Sequence, residues 1–130
     1  MLDPYASAIL ALLRTDSHLN VIDGPAPDLT RPPYVVVYIS ADNEGSDRLT
    51  QQTNVSTLRV ITHSVGASTT AARRVADRVR TALLDKTLQV DGWTSWPVRH
   101  EYGLPAVTDE STGLLVVDAV DGWTIAAASA

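Results

Sequence analysis

Apolar positions along this chain repeat with two different periods, and the change from one to the other marks out the elements. In the first segment Ile9, Leu10, Leu12 and Leu13 follow Tyr5 and Ala6 by about one helical turn, while Asp3-Pro4 supplies a cap and a first-turn proline. This spacing predicts a helix over Asp3 to Leu13. From Thr15 to Arg31, Asp23-Gly24, the prolines and scattered polar residues predict a turn-rich connection around a short strand at Leu19 to Ile22. Pro32-Pro33 then leads into Tyr34-Val35-Val36-Val37-Tyr38-Ile39-Ser40. A continuous β-branched and aromatic run of this length is too short for a helix and predicts a strand buried on both faces, central in its sheet.

Ser40 to Asn54 is almost free of apolar residues and holds three acids, Asp42, Glu44 and Asp47, beside Arg48. It cannot join a core, so a mobile acidic loop or hairpin tip is expected over about 41–54. Val55 to His63 alternates in part and predicts a second strand. Beyond Gly66 the period becomes helical: Ala72, Val75, Ala76, Val79, Ala82 and Leu83 step by three and four, Ser68 or Thr69 can cap, and Asp85 and Lys86 stand at the end. Further strands are expected near Trp93 to Glu101 and Gly122 to Ala127, with Leu114 to Ala119 left open. The pentapeptide Val-Asp-Gly-Trp-Thr occurs at Val90 to Thr94 and again at Val120 to Thr124. Its flanks differ, which favours two tight Asp-Gly turns, each letting a Trp start a strand, over a duplication. The order predicts an α+β fold in which a single, mostly antiparallel sheet of about four to five strands is covered by two main helices.

Composition narrows the function. A chain of 130 residues is sized for one domain, 1–130, with a core that needs no staples. Its 45% hydrophobic and 19% charged residues are those of a packed globular fold. The longest apolar runs, Ala8 to Leu13 and Tyr34 to Ile39, fall far short of the ~18 residues of a membrane span, and Asp3 stands where an export signal would be basic. A net charge of −5 disfavours tight binding to a phosphate backbone. The absence of cysteine removes disulfides, thiolate nucleophiles and Cys-ligated metal. Valine, isoleucine and threonine tilt the chain toward strands, and without phenylalanine the large packing groups must be Trp93, Trp96, Trp123 and the tyrosines.

No catalytic or cofactor signature is found. His18, His63 and His100 have no second ligand at a metal-binding spacing, and adjacent His100 and Glu101 in a strand would face opposite ways. His63-Ser64 lies in no nucleophile elbow, and the scattered glycines form no phosphate cradle. Catalytic, cofactor and metal residues are therefore expected to be none. Arg73, Arg74, Arg78 and Arg80, with Asp77 among them, lie largely off the apolar stripe of the second helix. They suit a solvated face knitted to Asp77, worth a few tenths of a kcal/mol per pair. The solvated face is the favoured reading; the alternative is an interface with an acidic surface, for which Asp42, Glu44 and Asp47 are candidate partners.

The chain resembles the small tail terminator, or tail completion, proteins of long-tailed bacteriophages. The likeness rests on the N-terminal amphipathic helix, the proline-rich approach to Pro33-Tyr34-Val35-Val36-Val37, and the polar loop before Leu58-Arg59-Val60-Ile61. It continues in the small-residue helix with Ala72, Ala76, Val79, Ala82 and Leu83, and in Leu104 to Asp109 followed by Ala119-Val120-Asp121 and a last strand. Leu88 to Tyr102 departs most from that pattern. The resemblance implies a virion structural protein without enzymatic activity or cofactor. Such proteins form a ring, usually a hexamer, at the head-proximal end of the tail. The ring caps the tail tube, stops its polymerisation and meets head-completion proteins, while DNA passes through its lumen without specific binding and no membrane is involved. The candidate interface or lumen residues are Asp42, Glu44, Asp47, Arg48, Arg73, Arg74, Arg78 and Arg80. Alternatives are another neck or tail-tube ring component, or a small ligand-binding or enzymatic α+β domain.

Overall fold

The computed structural model describes residues 2–42 and 55–129. Along these residues run α1 (Leu2–Arg14), β1 (Val21–Asp23), β2 (Tyr34–Asp42), β3 (Val55–Gly66), α2 (Thr69–Leu83), β4 (Trp93–Ser95), β5 (Arg99–Gly103), β6 (Val107–Asp109) and β7 (Val116–Ser129). The α+β expectation holds. The sheet is larger than expected, with seven strands among the described residues, in the order β1-β2-β3-β7-β4, and with β5 and β6 also paired to β7. All pairings are antiparallel except β1 with β2. The middle of the order is β3 rather than β2, because the last strand of the chain inserts beside β3 and carries the remaining strands on its far edge.

Register divides the side chains between two faces. Val35 and Val37 of β2, Leu58 and Val60 of β3, and Trp123, Ile125 and Ala127 of β7 share one face, and both helices cover it. From α1 come Tyr5, Ile9, Leu10 and Leu13; from α2 come Val75, Val79, Ala82 and Leu83. The α2 stripe is thus the one its spacing predicted, and Ser68 is the cap, its hydroxyl accepting from Ala71 N at 3.1 Å. Tyr34 and Val36, on the other face of β2, join Val65 and Val116 in a second small cluster, so the strand is buried on both faces only from Tyr34 to Val37, and Tyr38 beyond them is 42% exposed.

Several predicted boundaries move. Ala41 and Asp42 extend β2 instead of opening the acidic loop, whose residues 43–54 lie outside the described residues. The expected strand over Trp93 to Glu101 is two strands. Trp96 N still donates to Ala126 O at 2.9 Å, but Pro97 has no N–H to continue the ladder. Val98 instead turns into the core, its N–H donating to Lys86 O at 2.8 Å. Asp91-Gly92 forms the predicted turn into Trp93, with Gly92 at φ +79°. Asp121-Gly122 does not: both residues lie inside β7, which runs unbroken over 14 residues from Val116. Gly122 is needed there for close approach, since the Tyr102 ring of β5 lies where its Cβ would be.

Leu83 and Val79 are almost wholly enclosed. Leu83→Ala should therefore cost about 2–5 kcal/mol, and Val79→Ala less because fewer buried atoms are lost. Gly66→Ala should also lower the denaturation midpoint, since its Cβ would collide with the backbone of Ala71 and Ala72, which is fixed in the first turn of α2. Urea denaturation of the three variants measures all of this, and unchanged midpoints would contradict the packing of α2 on β3.

Candidate functional site

Both helices lie on one face of the sheet, and loops 24–33 and 110–115 cover only one end of the other. Among the described residues the rest of that second face is left uncovered, and antiparallel sheets normally make such a face polar. Here it carries a band of apolar and aromatic groups. Tyr38, Ile61, Gly122 and Tyr102 are successive cross-strand neighbours on β2, β3, β7 and β5. A register irregularity between His100 and Tyr102 leaves Glu101 outside the ladder. Beyond Tyr102 come Leu104 and Val107, which are 56% and 57% exposed. Exposed Tyr38, Tyr102, Leu104 and Val107 on one side of a sheet make that side the candidate interaction surface.

Charged groups bracket the band. Beyond its β3–β5 side, Arg59 Nη1 meets the Glu101 carboxylate at 3.3 Å, and Arg99 and the exposed Trp96 line a groove of about 650 Å³ with them. Toward the covered end lies a smaller cavity of about 310 Å³, lined by Tyr34, Tyr38, His63, Asp28, Asp109 and Asp118 among others. In it Asp118 Oδ2 accepts from His63 Nδ1 at 2.8 Å, and the Tyr38 ring meets the imidazole edge to face at 5.6 Å. The Asp118 hydrogen bond raises the His63 pKa above its ordinary value; partial burial opposes it, and the negative charges of Asp118 and Asp109 add to the rise.

On the helix-covered face, His100 Nε2 pairs with Asp121 Oδ1 at 2.9 Å and its ring stacks edge-on against Trp123 at 4.8 Å. Two of the three histidines thus have carboxylate partners that no local spacing announced, because His63 and Asp118 stand 55 residues apart and are joined only by strand pairing. Among the described residues no group of three His, Asp or Glu side chains could hold a metal ion.

The predicted site residues separate. Arg78 leaves its own helix to pair with Asp16 at 3.0 Å, and Asp16 also accepts from the His18 backbone N–H. Among the described residues no ion pair joins Asp77 to Arg73, Arg74 or Arg80, so the knitted face does not form and these arginines remain exposed. Asp42 lies at the end of β2, opposite Thr57 in β3. Glu44, Asp47 and Arg48 lie outside the described residues. Sequence reasoning missed the apolar band, whose only local trace is the run of Leu104 and Val107 in an otherwise polar stretch.

The folded chain holds the His63 proton more tightly than the unfolded chain does. The pair therefore contributes fully below the unfolded pKa of about 6.5, and that contribution is lost as pH rises through the higher folded value. Proton NMR should find His63 titrating above 6.5, and Asp118→Asn should bring it back down. The stability advantage of the wild type over Asp118→Asn should be larger at about pH 6 than at about pH 8.5. An unshifted His63 in the wild type would contradict the pair.

Comparison with known proteins bears on the family and the fold. In sequence, no curated protein matches. Among solved structures, a chain from the virion of a native gene transfer agent particle superposes with a TM-score of 0.67 at 16% identity, covering 92% of each chain, a likeness that bears on the fold. The gp17 protein of bacteriophage SPP1 aligns at 19% identity over 93% of this chain and 91% of its own, with a TM-score of 0.47. The family model for tail completion protein gp17 matches residues 7–104, from within α1 through β5. Three quarters of the chain lie within that match, and the chain belongs to the tail completion protein gp17 family.

Proposed function

We propose that this protein is a tail terminator: a ring, of six copies, that caps the tail tube at its head-proximal end, stops its polymerisation and joins it to head-completion proteins. The observation that carries this reading is the uncovered sheet face. A tail completion family member with a filled core on one side of its sheet exposes Tyr38, Tyr102, Leu104 and Val107 on the other, a surface that assembly would bury. The same reading gives the chain no catalytic role. The pairs His63 with Asp118 and His100 with Asp121 are read as ties between strands of the sheet.

Surplus acid has a place in such a ring. A lumen that attracted phosphate would brake DNA during passage, whereas carboxylates in the bore repel it over a Debye length of about 10 Å. The net charge of −5 supports this, and Asp42, Glu44 and Asp47 form the densest acidic stretch available to line the bore. Arg48 and the arginines of α2 then serve contacts between subunits, which salt weakens.

Negative-stain microscopy and mass photometry with tail tubes test the proposal. Wild-type protein should give closed rings at one end of tubes of uniform length, and tubes that keep growing in its presence would overturn the terminator role. Deleting residues 43–51 should leave a folded monomer that caps poorly. Tubes capped normally by that variant would remove the acidic stretch from the assembly.

A further inference from the structure

The α2 helix presents Arg73, Arg74 and Arg80 to solvent, and among the described residues none of the three forms an ion pair. On the uncovered sheet face the charge is reversed at one end. Asp28, Asp109 and Asp118 line the 310 Å³ cavity with Tyr34, Tyr38 and His63, and Asp118 Oδ1 is buried without a hydrogen-bond partner among the described residues. Leu104, Val107 and the ring of Tyr102 continue this surface along β5 and β6. One chain thus carries two complementary surfaces, cationic on the helix side of the sheet and acidic, aromatic and apolar on the opposite side.

We infer that the uncovered sheet face is the docking surface for α2 of a second copy of this chain, with Arg73 and Arg74 of the neighbour meeting the Asp28 and Asp109 end. The inference rests on the ring reading and supplies its subunit contact. Arginine suits both halves of this surface, because its planar guanidinium binds carboxylates bidentately and stacks on aromatic rings such as those of Tyr38 and Tyr102. Orientation follows from charge. At the far side of the band Arg59 and Arg99 stand with Glu101 and Asp85, a balanced set, so the surplus of carboxylates at the Asp28 and Asp109 end makes that end the favourable register for the α2 arginines. Since the two surfaces lie on opposite sides of the sheet, the contact is head to tail. Repetition of a heterologous contact closes into a ring when its rotation permits.

The test uses two double variants, Arg73→Glu with Arg74→Glu, and Asp28→Arg with Asp109→Arg. Each alone places like charges across every contact and should weaken self-association by about tenfold or more, while circular dichroism shows the wild-type fold. An equal mixture of the two should assemble again. At each contact of an alternating ring the reversed helix then meets the reversed cavity, or the native helix meets the native cavity. Mass photometry in the presence of tail tubes, with native mass spectrometry of the mixture, reads both outcomes. Rings from either variant alone at wild-type concentration, or folded variants that stay apart when mixed, would overturn the docking while leaving a wild-type ring intact. Wild-type protein that never forms rings on tubes would overturn the ring reading and the docking with it.

Discussion

The indole N–H of Trp123 donates to Thr62 Oγ1 at 3.0 Å within the core, and the whole sheet is organised around the two strands this bond joins. Both groups are almost completely buried, and each would be costly to enclose without a partner. The bond fixes β7 against β3 in a register that runs from Val55 opposite Ala128 to Gly66 opposite Val117. Once that register is set, the far edge of β7 becomes the only template for β4, β5 and β6 among the described strands, none of which has more than five residues. Short strands of this kind have no stability alone and depend on the ladder offered by β7.

Register also determines what faces outward. With Trp123 and Val60 directed at the helices, period two sends Gly122 and Ile61 to the opposite face, beside Tyr38 and Tyr102. The same parity places His63 and Asp118 together on that face and His100 and Asp121 together on the helix side. Each of these hydrogen-bonded pairs ties β7 to a neighbouring strand. Two helices cover one side of the seven-stranded sheet, and among the described residues the other side, covered by loops at one end only, presents aromatic, aliphatic and charged groups.

The parts of the fold legible in the sequence are those whose stability is written locally. The three-and-four spacing of α2 and the β-branched run of β2 each bury their own apolar residues, so the pattern states the outcome. Elements created by pairing were not legible. Val107 to Asp109 is a strand only because Val116 to Asp118 lies beside it, and Asp121-Gly122 reads as a turn until Tyr102 of a neighbouring strand is seen lying over the glycine. The candidate site follows the same division. The arginines of α2 were visible as a cationic face, but the loss of their expected partner Asp77 and the pairing of Arg78 with Asp16 depend on how α1 and α2 pack. The His63 and Asp118 pair, 55 residues apart, is a product of register and left no trace in local spacing.

Hydrogen–deuterium exchange of the protein alone and on tail tubes tests most directly whether the uncovered face is the surface that assembles. Assembly through that face should slow exchange over β5, β6 and the Tyr38 end of β2, and over the outer side of α2, while the amides of β3 and β7, already paired on both sides, change little. Unchanged exchange from Arg99 to Asp109, with protection confined to α1, would contradict it.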